Sequence, residues 1–164
     1  MSLKPDYYSI FQTLTDHEVD FIVVGGVAII LTGAPYITLD LDIVHSTDAA
    51  NVGKLLPALE ELDAYYRIQP ERRFRPNASH LTTLGHQLLF TKFGPLDVLG
   101  RVGKGRTYAD LVPHCVLMEL NGGLRIRVLD VETQIAVKEE AGREKDQPGL
   151  FLLRNVLEES RKKR

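Results

Sequence analysis

Only one of the 164 residues is a cysteine, Cys115, and none is a tryptophan. A lone cysteine excludes an internal disulfide framework and fits a reducing compartment, so a cytoplasmic location is expected. No apolar run reaches the roughly 18 residues of a membrane span. The longest, Phe21 to Leu31, is broken by Gly25 and Gly26. The start, Met-Ser-Leu-Lys-Pro-Asp, lacks the apolar core of a signal peptide, and no membrane partner is expected. Neither charge sign dominates: the formal net charge is −2, so no global positive field draws the chain to nucleic acid. There is no internal repeat and no low-complexity tract. The five histidines show no metal-ligand spacing, His114-Cys115 reads as strand packing, and the serines and histidines form no nucleophile arrangement.

What is present is an ordinary globular composition, 44% apolar and 26% charged, in a length that fits one domain over residues 1–164. Tyr7, Tyr8, Ile10, Phe11 and Leu14 recur at helical spacing, with Pro5 near the first turn. Phe21–Val24 reads as a short buried strand, ended by Gly25 and Gly26. Val27–Leu31 then reads as a buried helix stopping at Gly33-Ala34-Pro35. Apolar and acidic residues alternate from Leu39 to Val44. This predicts a strand with Leu39, Leu41 and Ile43 in the core and Asp40 and Asp42 on the other face. An amphipathic helix over 48–62 follows, with Ser46, Thr47 or Asp48 as N-cap. Residues 63–86 carry Arg67, Arg72, Arg73 and Arg75 without any sustained period. A loop that long is unusual in a compact domain, so an extra strand or hairpin is expected there.

Strands are predicted over 88–92 and 96–99, and Thr107-Tyr108-Ala109-Asp110 reads as a capping box opening a short helix. Asn121-Gly122-Gly123 is a hairpin signal between strands at 116–120 and 124–128. From about residue 130 the chain reads as helical: Asp130 caps a helix to about Ala141. A last helix runs from about Gly149 to the basic end, Arg161-Lys162-Lys163-Arg164, favourable for the helix dipole. The order gives an α/β (α+β) fold with a mixed β-sheet flanked by helices.

Asp40 and Asp42, two apart on a strand, leave the same face and share one space. Like charges that close repel unless a cation lies between them. Mg²⁺ takes hard oxygen ligands, commonly few carboxylates together with substrate phosphates. Asp97, the lone acid in Pro95-Leu96-Asp97-Val98-Leu99, is the candidate third carboxylate of a two-metal clamp for phosphoryl or nucleotidyl transfer. Gly25 and Gly26 let the backbone approach a triphosphate, with the following helix offering N–H donors.

Gly25-Gly26, thirteen residues, then Asp40-Leu41-Asp42-Ile43 resembles the signature of the DNA polymerase β-type nucleotidyltransferase superfamily. With Gly33-Ala34-Pro35, Thr38-Leu39-Asp40, Gly94-Pro95-Leu96-Asp97 and the stretch Lys138 to Asp146, the pattern is similar to its small bacterial and archaeal members related to abortive-infection toxins. The resemblance spans most of residues 21–146. It implies the nucleotidyltransferase fold and an enzyme moving a nucleoside monophosphate from an NTP to an acceptor hydroxyl of RNA, protein or a small molecule. It implies two Mg²⁺ ions on Asp40, Asp42 and Asp97, with Asp97 also able to act as base. Gly25, Gly26, Thr38, Lys138, Lys145 and Asp146 would form the nucleotide site. Relatives often carry an arginine where this chain has Tyr36. The competing reading is a catalytically weak binding module of the same fold, such as one half of a toxin–antitoxin pair with a cognate partner protein.

Plainer readings stand beside these. Lys138 among Glu139 and Glu140 fits an exposed helix face. Arg143, Lys145 and Asp146 after Gly142 fit a C-cap with a surface salt bridge. The glycine-rich basic stretch 100–106 is neither a P-loop nor a dinucleotide motif and reads as a mobile loop suited to a polyanionic acceptor. Arg72, Arg73 and Arg75 read first as a solvated loop, with extension of that surface as the alternative.

Overall fold

Alternation along a few short strands decides which residues face which layer. The computed structural model describes residues 5–163; the first four residues and Arg164, the last of the basic tail, lie outside the described residues. In chain order the elements are α1 (Tyr7–Asp16), β1 (Phe21–Val24), α2 (Gly25–Leu31), β2 (Leu41–His45), α3 (Ala49–Glu61), β3 (Tyr65–Tyr66), α4 (Ala78–Leu81), β4 (His86–Thr91) and β5 (Gly94–Leu99). Next come β6 (Arg101–Val102), β7 (Arg106–Thr107), α5 (Tyr108–Leu111), β8 (Cys115–Glu119), β9 (Arg125–Leu129), α6 (Val131–Ala141) and α7 (Gln147–Lys162). Seven strands form one mixed sheet in the order β3-β4-β5-β2-β1-β9-β8, and β6 pairs only with β7. Parallel pairs join β2 to β5 and β1 to β9, and antiparallel pairs make the other four contacts of the sheet.

Phe21, Val23, Leu41, Ile43, Leu96 and Val98 pack in one cluster with Ile10, Phe11 and Leu14 of α1 and Leu55 and Leu59 of α3. Ile22, Val24, Val44 and Leu99 form a second cluster with Leu111, Leu129 and Val137. Burying each such side chain contributes about 1.5–3 kcal/mol, more than a typical ladder hydrogen bond, so apolar burial sets the strand register. A slip of one residue would push Asp42 and Asp97 into the α1–α3 core. Their place on the opposite face follows from Leu41, Ile43, Leu96 and Val98.

Side-chain caps close the helices where the sequence offers them: Asp6 accepts from Ser9 N at 3.0 Å, Asp48 from Asn51 N at 2.8 Å and Asp130 from Thr133 N at 2.7 Å. Thr107 and Asp110 form the expected capping box. The stretch 63–86 holds the added strand, β3, on the sheet edge, followed by a 3₁₀ turn at Pro70–Arg72 and the single-turn α4. Two expectations change. Leu39 is 69% exposed and lies outside β2, because the ladder to β1 starts at Asp42 and that to β5 at Leu41. The stretch 100–106 is a small β-ribbon fastened to α6: Arg106 Nε donates to Glu140 Oε1 and Oε2 at 3.1 and 3.0 Å.

Candidate active site

β2 and β5 run parallel and set Asp42 opposite Asp97. Residues in register on neighbouring strands leave the same face about 4.8 Å apart, so two carboxylates meet above the sheet. Burial, then the charge and hydrogen bond of Asp97, then the charge of Asp40 push the Asp42 carboxyl up to about 8, while Lys138 pulls it down. Asp40 stands one residue before β2, with its amide 3.4 Å from Thr38 Oγ1. It bears on Asp42 by charge. Among the described residues no three His, Cys, Asp or Glu side chains are gathered closely enough to hold one ion. Asp42 and Asp97 stand in register on neighbouring strands, and Asp40 acts on Asp42 through its charge.

The glycine pair is explained first by these neighbours. Gly25 has φ +68°, and a Cβ there would fall 2.1 Å from Asp42 Oδ2. At Gly26 a Cβ would fall 2.7 Å from Thr38 Cβ. The two positions seat Asp42 and Thr38 against bare backbone. Helix α2, which starts at Gly25, is seven residues long.

Asp97 has a partner that no sequence pattern announces. Arg67, just after β3, brings Nη2 within 2.7 Å of Asp97 Oδ1. The same oxygen is buried and receives no aligned hydrogen bond, so the contact is ionic with poor N–H geometry. Tyr7 of α1 donates from its hydroxyl to the Thr38 carbonyl at 2.9 Å. Burial, then Asp40 and Asp42, push its phenol up. No local pattern marks either residue: Arg67 lies in a stretch without period, and Tyr7 reads as one more apolar position of α1.

Across the cleft, Lys138 of α6 and Asp146 before α7 are both largely buried, with Lys138 Nζ 3.3 Å from Asp146 Oδ1. Arg143 Nε donates to Asp146 Oδ2 at 2.8 Å. Burial alone would raise the Asp146 carboxyl, but the Arg143 hydrogen bond and the Lys138 and Arg143 charges hold it below the usual range. Gly142 does close α6 in the left-handed conformation. The expected Arg143–Asp146 bridge also forms, with Arg143 half-exposed and Asp146 buried, whereas Lys138 is not on an exposed face. Lys145 is exposed at the cleft rim and makes no ion pair among the described residues.

Both walls line one cleft of about 810 Å³. Gly25, Gly26, Tyr36, Thr38, Asp40, Asp42, Asp97, Lys138, Lys145 and Asp146 all border it, as do Arg67, His86, Arg101 and Gly103. Arg72, Arg73 and Arg75 do not: Arg73 and Arg75 clamp Asp63, and Arg72 lies over Phe74. A divalent cation fits the Asp42–Asp97 pair on two counts. Asp97 Oδ1 is a buried acceptor without an aligned donor, and the Asp42 carboxyl is held against its own ionisation.

Several solved structures share this architecture. A Thermotoga maritima protein, TM1012, provisionally assigned as a nucleotidyltransferase, matches with a TM-score of 0.58 at 21% identity over 93% of this chain and 91% of its own. The antibiotic-resistance factor ANT(2'')-Ia matches at 0.60 and 14%, over 92% and 82%. The lincosamide antibiotic adenylyltransferase LnuA, solved with lincomycin bound, matches at 0.60 and 16%, over 92% and 95%. No protein-family model and no curated protein matches the chain. The chain has the nucleotidyltransferase fold.

Proposed function

We propose that the chain is a nucleotidyltransferase that moves a nucleoside monophosphate from an NTP to an acceptor hydroxyl. The observation that carries this reading is the in-register pair Asp42–Asp97, facing the Lys138–Asp146 pair across one cleft of the matching fold. Mg²⁺ on Asp42 and Asp97, with Asp40 beside them, would neutralise charge on the transferring phosphoryl group and orient the attacking oxygen. The residues of the chain do the rest. Lys138 and the exposed Lys145 hold the phosphates electrostatically, and Asp146 and Arg143 fix the position of Lys138. Gly26 and Thr38, packed against each other, form part of the cleft lining that would receive the nucleotide.

The acceptor oxygen forms a bond to the α-phosphorus, and the bond from that phosphorus to the bridging oxygen breaks. Pyrophosphate leaves, and Asp97 takes the proton of the hydroxyl. The antibiotic adenylyltransferases among the matching structures make a small-molecule hydroxyl one acceptor class, beside RNA and protein. The test supplies each α-labelled NTP with Mg²⁺ and pools of RNA, protein and small metabolites. Wild type should transfer label, while Asp42→Asn and Asp97→Asn should fall by at least about a hundredfold, as when one electrostatic interaction is removed from a transition state. Equal label transfer by wild type and both variants would overturn the assignment of these acids.

A further inference from the structure

Among the described residues Arg67 is the one cation that touches the acid pair, and it does so from a perch that does not depend on that pair. Its Nη1 donates to the Leu89 carbonyl at 2.9 Å, and its Cζ lies 5.8 Å from the centre of the Phe90 ring. Both anchors belong to β4, next to β5, which carries Asp97. The remaining arm, Nη2, approaches Asp97 Oδ1 at 2.7 Å without an aligned hydrogen bond. A carboxylate held for its own sake would take a bidentate fork. The guanidinium thus stays in place through Leu89 and Phe90, and the link to Asp97 can open by a small pivot.

Oxygen Oδ1 of Asp97 is also the buried acceptor left for a hard cation, so guanidinium and metal ion draw on the same atom. We infer that Arg67 is a positioning residue that competes with the divalent cation for Asp97, lowering metal affinity while holding the carboxylate aimed into the cleft. This rests on the nucleotidyltransferase reading of Asp42 and Asp97. Electrostatics gives the sign: removing a unit positive charge beside a dication strengthens cation binding. Were Arg67 only a structural prop, its removal would loosen Asp97 and weaken cation binding.

The experiment is calorimetric titration of Mn²⁺ into the full chain without nucleotide, for wild type, Arg67→Gln and Arg67→Lys, each checked for the wild-type far-UV circular dichroism. Arg67→Gln should bind Mn²⁺ about tenfold tighter and show a reduced kcat for transfer; Arg67→Lys, which keeps the charge, should stay within about threefold in affinity. Unchanged or weaker Mn²⁺ binding by Arg67→Gln, with wild type binding normally, overturns this inference alone. A wild type that binds no Mn²⁺ overturns the metal reading of the acids as well. If the glutamine variant does not fold, the wild type decides: the Arg67 side-chain N–H signal should shift on Mg²⁺ addition, and an unmoved signal overturns the competition.

Discussion

At position 25 a methyl group would fall 2.1 Å from a carboxylate oxygen of Asp42, on a backbone with φ +68°. Gly25→Ala therefore meets two penalties: about 1–2 kcal/mol for a left-handed conformation in a residue with a Cβ, and displacement of the acid at the centre of the site. Stability should drop modestly in urea titration while transfer falls about a hundredfold, the scale of a misplacement near 1 Å. A variant with normal transfer would show that the glycine does not seat Asp42. The Asp42 carboxyl makes a prediction of opposite sign. Its value in the folded chain, about 8, lies above the ordinary 3.8. Stability from the protonated form is then complete below about 4 and is lost as pH rises through 8. In EDTA at pH 9, Asp42→Asn should melt above wild type by roughly 5 °C, with the gap narrowing toward pH 5. A variant that melts lower at pH 9 would contradict the account of strained like charges.

Beside its apolar packing, helix α3 is tied to the sheet by the Asn51 amide. Asn51 is buried; its Oδ1 accepts from Asp20 N at 2.7 Å, and its Nδ2 donates to the carbonyls of Asp20 and Ser46 at 3.0 and 2.8 Å. Those partners sit at the entry to β1 and the exit from β2, so one side chain binds the two strands that lead to the site. Asn51→Ala leaves buried polar groups unpaired and should lower unfolding free energy by about 2–3 kcal/mol, measured in urea, with transfer by the folded fraction unchanged. A loss below about 0.5 kcal/mol would mean that water replaces the amide.

The elements are legible in the sequence where local physics decides them. Period-2 alternation marks β2 and β5, Asp130 marks the start of α6, and the run Ser46, Thr47, Asp48 marks that of α3. Asn121-Gly122-Gly123 marks the β8–β9 hairpin. Leu39 departs from its expected place because alternation carries no signal for where a ladder stops. Lys138 among glutamates reads locally as a solvated residue because the packing of α7 against α6 is invisible in a local window. Arg67 is beyond reach: its importance comes from the β3-β4-β5 pairing that carries it to Asp97, and no residue spacing encodes that.

Across the molecule, the sheet sorts its two faces by chemistry. One face is closed by α1 and α3 over an apolar cluster, and the other carries Asp42 and Asp97 toward the cleft walled by α6 and the turn that precedes α7. The net charge of −2 hides this local order, since the cleft brings four acids together with Arg67, Arg101, Lys138, Arg143 and Lys145. Such a balance suits a triphosphate bound with metal ions better than a bare polyanion, whose affinity would rest on unpaired cations. Parallel reactions with α-labelled and γ-labelled NTP test the central claim most directly, because they report which phosphorus–oxygen bond breaks. The account predicts that label from the α position moves to the acceptor and label from the γ position leaves as pyrophosphate, both dependent on Asp42 and Asp97. Transfer of the γ label to the acceptor, or equal transfer by Asp42→Asn and Asp97→Asn, would contradict it.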